Sequence, residues 1–230
     1  MTIFKDFNII LHIYDYNSSL ETYVYTISGL IALTGLNNRA IGVCTNGLSL
    51  VLNYSIEGLP VTLIVRKILA QETFDDAVDF IQNVNHASGQ NYLIGGPEKI
   101  LCMECSGNKA VQFIPHENAD KIYHTNHALV NDDLINTSLT ITDIVGENSS
   151  LERFNYLESK LNHNSNKFTF GDIKNLLSSH QGPICRHTNK PESSSTLASV
   201  IYTLSESPEF YFANGNPCSN NYKRYFFDKT

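Results

Sequence analysis

An α+β fold is predicted for this 230-residue chain from three observations. Strand-like segments come in runs joined by short turns. Helix-like segments come in pairs between those runs. No linker, repeat or low-complexity tract divides the chain, although it is rich in Asn. Helix pairs segregated from hairpin-linked strands favour layered sheets over alternating βαβ units. One domain spanning 1-230 is expected.

The elements follow in order. Asn8 to Tyr14 is rich in β-branched and aromatic residues and runs into the turn-prone stretch Asp15 to Ser19. Thr22 to Ser28 continues in the same style, and Gly29, Gly35 and Gly42 punctuate short strands. Pro60 suits a first helical turn, after which Val61, Ile64, Val65, Ile68 and Leu69 repeat at helical spacing. Thr73 with Asp76 three residues on reads as a capping box that opens a second helix through Val84. Strands are expected again at Tyr92 to Ile94, Ile100 to Glu104, Ala110 to Ile114 and Ile122 to Thr125. Ser149 with Glu152 and Thr169 with Asp172 announce a second helix pair. Strands at Thr196 to Leu204, Phe210 to Ala213 and Tyr222 to Phe227 close the chain.

Composition removes several classes of function. A net charge of -7 without a Lys/Arg cluster argues against nucleic acid, whose ligands carry a basic face. No apolar run approaches the ~20 residues of a membrane-spanning helix, and no secretory signal is visible. Five scattered cysteines do not make a disulfide scaffold, and the odd count favours a reducing compartment, so a cytoplasmic location is expected.

Five short segments carry a family likeness. They are Gly35-Leu36-Asn37-Asn38-Arg39-Ala40-Ile41-Gly42-Val43, Gly58-Leu59-Pro60 leading to Arg66, His124-Thr125-Asn126-His127, Ile184-Cys185-Arg186 and Ser195-Thr196-Leu197. In this order and at these intervals the chain resembles the acyl-coenzyme A:isopenicillin N acyltransferase family, the autoproteolytic cysteine N-terminal-nucleophile hydrolases. The resemblance implies a four-layer αββα sandwich of the N-terminal-nucleophile hydrolase type. It also implies an activity: acyltransferase or amide hydrolase, acting on a small acyl-amide or acyl-thioester. In such enzymes a cysteine freed by self-cleavage attacks through its thiolate. Its own α-amino group, with a pKa near ~8, serves as base. No cofactor is implied.

By the same resemblance Asn126 is the oxyanion donor, Ser106 supports the pocket, and Arg186 has the better positional match for substrate binding. Arg153 either clamps a substrate carboxylate or pairs with Glu152 or Glu147 on a solvated helix. The stretch Glu192-Ser193-Ser194-Ser195 has no basic residue where the family has an arginine, which speaks against a β-lactam precursor or coenzyme A.

The family's nucleophilic cysteine and its Asn-x-Asp segment fall before the strand that starts at Asn8. The expectation is therefore an N-terminally truncated chain, lacking the first hairpin and inactive as given. Either the start is misplaced or the hairpin comes from another polypeptide. The open sheet edge would favour self-association. Cys44 falls inside a core strand. Cys102 and Cys105, three apart on a strand, point to opposite faces, so no metal is expected. His124 and His127 are expected to pack and hydrogen-bond around Asn126. Two alternatives stand beside the main reading. One is a non-catalytic binding domain that keeps the fold. The other is a bile-salt-hydrolase-type amidase.

Overall fold

Alternation along one strand organises the molecule. In the computed structural model Val24 packs under the first helix pair, while its neighbours Tyr23 and Tyr25 face a second sheet. A strand buried on both faces places adjacent residues in two different cores. The structure describes residues 5–48, 51–117, 119–136, 138, 150–162, 167–187 and 195–227.

The larger sheet holds β1 (Asn8–Asp15), β2 (Leu20–Ile27), β3 (Thr34–Asn37), β4 (Gly42–Gly47), β5 (Gln90–Gly95), β6 (Ile100–Cys105) and β7 (Ala110–Gln112). All are antiparallel and lie in sequence order. The smaller sheet runs β10 (Lys223–Phe226), β9 (Glu209–Asn214), β8 (Ala198–Thr203), also antiparallel. Helices α1 (Val61–Ile68) and α2 (Phe74–Asn83) cover the outer face of the larger sheet, burying Ile64, Val65, Ile68 and Ile81 against Val43, Tyr92 and Ile94. The inner faces of the two sheets meet through Tyr23, Tyr25 and Leu36 on one side and Phe210, Phe212 and Tyr202 on the other. Helices α3 (Ser150–Leu161) and α4 (Phe170–Leu177) form the fourth layer. Phe170 of α4 packs on Tyr211, which alternates with the inward-facing Phe210 and Phe212. This is the four-layer αββα sandwich.

Two glycines sit where the layers come closest. A Cβ on Gly35 would lie 2.6 Å from both Leu69 Cδ1 and the Tyr23 carbonyl, and one on Gly95 would lie 2.4 Å from Leu204 Cδ1 of the smaller-sheet layer.

Local signals account for the helix starts. Thr73 caps α2 by accepting from the Asp76 amide at 3.1 Å, and Thr169 with Asp172 forms a complete capping box on α4. Pro60 differs from expectation. It is the N-cap of α1, in extended conformation, rather than a first-turn residue. Ser149, expected to start α3, lies outside the described residues.

A second difference concerns 122–125, which is not a strand. That segment is held instead by side-chain hydrogen bonds to α3 and to Glu104, so its backbone joins no ladder.

Candidate active site

The His124-Thr125-Asn126-His127 segment lies against the start of α3 and beside the end of β4. Ser150 is its anchor. Its hydroxyl accepts from the Asn126 backbone N–H at 2.7 Å, donates to Thr125 Oγ1 at 3.0 Å, and lies 2.8 Å from His127 Nδ1. Thr125 returns a bond from Oγ1 to the Ser150 carbonyl at 3.0 Å. These bonds tie the tetrapeptide to the first residue of α3 through both its hydroxyl and its carbonyl.

Asn126 is thereby fixed with its side chain half-buried. Its Nδ2 donates to the Gly47 carbonyl at 2.9 Å, and its Oδ1 accepts from Arg153 Nη2 at 2.9 Å. Arg153 sits one turn into α3, so the helix that anchors the backbone of Asn126 also grips its side chain. Burial, and then the neighbouring charge of Arg186, lower the Arg153 guanidinium to about 10. The structure therefore brings together Asn126, Arg153 and Arg186.

Ser106 is placed elsewhere. It ends β6, buried, with its hydroxyl donating to Asp133 Oδ2 at 2.6 Å and accepting from the Lys109 amide at 3.3 Å. These bonds tie the β6–β7 turn to the 131–133 segment. No described hydrogen bond connects Ser106 to Asn126. Of the two partners weighed for Arg153, Glu147 lies outside the described residues, as do residues 192–194.

Under the tetrapeptide lies Glu104, to which the sequence assigns a strand but no role. Its carboxylate is fully buried on β6 and takes four donors: His124 Nε2 at 2.7 Å and the backbone amides of Leu129 (2.7 Å), Val130 (3.0 Å) and Asn131 (2.8 Å). Burial pushes this acid upward, but the His124 bond and the three amides outweigh it and hold it below the usual glutamate value. The other nitrogen of His124 faces the Thr125 carbonyl at 2.8 Å, so both ring nitrogens point at oxygen acceptors. His127, by contrast, is kept below the usual imidazole range by burial, then by His124 and Arg153, against an opposing pull from Glu104. One signal in the sequence pointed to Glu104: a single acid in the otherwise apolar run Ile100 to Cys105 has to be paired if the strand is central.

The thiols lie apart from this constellation. Cys44, on the inner face of β4, receives a weak bond from Thr34 Oγ1 at 3.5 Å, and burial pushes it up. Cys102 bonds Asn91 Oδ1 at 3.0 Å and is pushed up to about 12. Cys105 lies in the opposite, helix-facing core and is raised further still, again chiefly by burial. Cys185 and Cys218 face each other and two histidines.

Two antiparallel sheets between two helical layers, with a loop asparagine held beside the end of an inner strand, define an N-terminal-nucleophile hydrolase fold. Solved structures of similar fold agree. The chain is similar to a variant of the conjugated bile acid hydrolase from Clostridium perfringens (TM-score 0.53, 12% identity, 97% of this chain and 89% of that one). It is also similar to the Caenorhabditis elegans ortholog of N-acylethanolamine-hydrolyzing acid amidase (TM-score 0.55, 14% identity, 95% and 83%). At these identities the likeness concerns the fold alone. The sequence profile of the acyl-coenzyme A:6-aminopenicillanic acid acyl-transferase family matches residues 9–217, and the chain belongs to that family. Comparison with curated proteins finds no match. Among the described residues no helix is long and apolar enough to cross a membrane.

Proposed function

We propose that this chain provides the scaffold, the oxyanion donor and the anion-binding cations of an amide hydrolase or acyltransferase, and that none of its five cysteines is the attacking thiol. The observation that carries the reading is the grip of Arg153 on Asn126 Oδ1. A guanidinium bound to the amide oxygen polarises the amide and makes its NH2 a stronger donor. That NH2 has two hydrogens, and one is engaged by Gly47, which leaves one for an oxygen that gains negative charge during attack. In the reaction typical of the family, a thiolate adds to the carbonyl carbon of the substrate. The tetrahedral oxyanion collapses, the protonated amine or the thiol leaves, and water or an amine then takes the acyl group from sulfur.

The guanidiniums of Arg153 and Arg186 lie close enough beside Asn126 to sense each other's charge. This suits a small acyl-amide or acyl-thioester that carries a carboxylate or phosphate. The exclusion of the cysteines is supported by their positions. Burial raises Cys44, Cys102 and Cys105 away from the thiolate form, and no described hydrogen bond joins any of the five to Asn126. The 230 residues on their own therefore release no acyl group. Five free thiols also support the cytoplasm as the working compartment.

The test is calorimetric binding of N-acyl amino acids, together with release assays on chromogenic amides and thioesters. Expected results are no turnover, and binding weakened ~10-fold or more both by Arg153→Leu and by conversion of the ligand's carboxylate to a carboxamide. Turnover that vanishes in Cys44→Ala would overturn the exclusion of the thiols. Equal affinity for acid and carboxamide would overturn the role of the cations.

A further inference from the structure

Two connections near the smaller sheet meet at a second cluster of chemistry-bearing side chains. His180 follows α4, Cys185 and His187 lie in the connection toward β8, and Cys218 lies in the β9–β10 loop. One ligating atom from each lies within 4.8 Å of all the others. His187 Nε2 is 3.1 Å from Cys218 Sγ, Cys185 Sγ is 3.5 Å from Cys218 Sγ, and Cys185 Sγ is 3.9 Å from His187 Nε2. The His180 and His187 rings stand edge to face with centroids 5.1 Å apart.

The separations among Cys185, His187 and Cys218 bracket those of a coordination shell, with His180 within 4.8 Å. A tetrahedral zinc with Zn–S of about 2.3 Å and Zn–N of about 2.0 Å has ligand-to-ligand edges of roughly 3.3–3.8 Å. Two thiols and two imidazoles form the donor set that zinc takes in closed structural sites, and softer or oxygen-seeking ions fit it less well. The surroundings are organised as such a site requires. Asn216 Nδ2 reaches Cys185 Sγ at 3.5 Å while donating to the Arg186 carbonyl at 2.7 Å. The backbone on either side of Cys185 is pinned by Cys185 N–H to the Ser179 carbonyl (2.9 Å) and by Arg186 N–H to Thr196 Oγ1 (2.9 Å). An amide donor to a ligating sulfur and a fixed ligand backbone are the outer-shell features that orient metal ligands.

We infer that His180, Cys185, His187 and Cys218 form a Cys2His2 zinc site that staples the β9–β10 loop to the connection between α4 and β8. With four protein ligands the ion has no open position, so its role is structural. It fixes Arg186, which lies between two of the ligands. Binding displaces one proton from each thiol, and nothing is oxidised or reduced. The ligands form no C-x-x-C pair, because one of them comes from 31 residues beyond His187. The inference rests on no step of the amidase chemistry.

The test is metal analysis of the untagged chain purified under reducing conditions, with cobalt(II) as a spectroscopic stand-in. Expected is about one zinc per chain, falling ~10-fold or more in Cys218→Ser and in His187→Gln. Cobalt should give the intense visible bands of a tetrahedral ion and a thiolate charge-transfer band. If either variant fails to fold, the wild type still decides. Stripping by a chelator should lower its Tm by at least about 5 °C, and added zinc should restore it. Absence of zinc, a Cys185–Cys218 disulfide in its place, full zinc in the Cys185→Ser/Cys218→Ser double variant, or a Tm indifferent to stripping would each overturn the inference.

Discussion

Replacing Glu104 with Gln should destabilise the fold more than almost any other isosteric change. One carboxylate oxygen accepts from His124 Nε2 and the Leu129 amide, the other from the Val130 and Asn131 amides. A glutamine can present one oxygen to one of these pairs. Its NH2 then faces the other pair, leaving two buried donors unsatisfied. At about 1–3 kcal/mol per orphaned donor, the expected loss is about 2–6 kcal/mol. For a domain of this size that is a fall in Tm of roughly 4–24 °C. Urea or thermal unfolding followed by circular dichroism measures it. The pH dependence gives an independent check. Glu104 is held below its ordinary value of 4.5 in the folded state. Its contribution is therefore fully present above that value and is lost as the pH falls toward and through the lower folded value. The wild type should show this acid limb and the Gln variant should lack it. A variant within about 1 kcal/mol of the parent, with the same acid limb, would refute the reasoning.

Two other outcomes follow from buried groups. Asn37→Ala should cost about 2–4 kcal/mol in urea unfolding. The Asn37 amide is fully buried, donates to the Leu69 and Gln71 carbonyls, and accepts from the Arg39 and Ile41 amides, so its removal orphans groups in both the β3–β4 turn and the α1–α2 connection. Cys102 and Cys105, raised by burial, should react with a thiol reagent at pH 8 at least ~100-fold more slowly in the native chain than in urea, read by mass spectrometry of labelled peptides.

The family stretch around Asn37 shows how a sequence signal can be informative for a structural reason. Its glycine permits the close approach of Leu69, and its asparagine satisfies a turn; neither touches the Asn126 site. The reading of 122–125 as a strand failed because β-type composition was all the sequence offered there. Hydrogen bonds to Ser150, some 25 residues away, took the place of a ladder. Ser106 is bound to Asp133, 27 residues on, a partner that spacing alone does not reveal.

The amino-acid sequence by itself determined what depends on neighbours in the chain. It set the strand alternation that sends Val24 one way and Tyr23 and Tyr25 the other, the capping of α2 and α4 by Thr73 and Thr169, and the short turns that pair successive strands. Family membership was legible for the same reason, since its motifs are short. Only the tertiary structure decided the division into seven and three strands, the pairing of Glu104 with His124, the hold of Arg153 on Asn126, and the meeting of Cys185 with Cys218. Those contacts join residues 20 to 33 positions apart, and Asn8 reaches the Leu197 carbonyl across 189. No periodicity encodes such partners. They are selected when burial leaves each polar group a single place to find its hydrogen bonds.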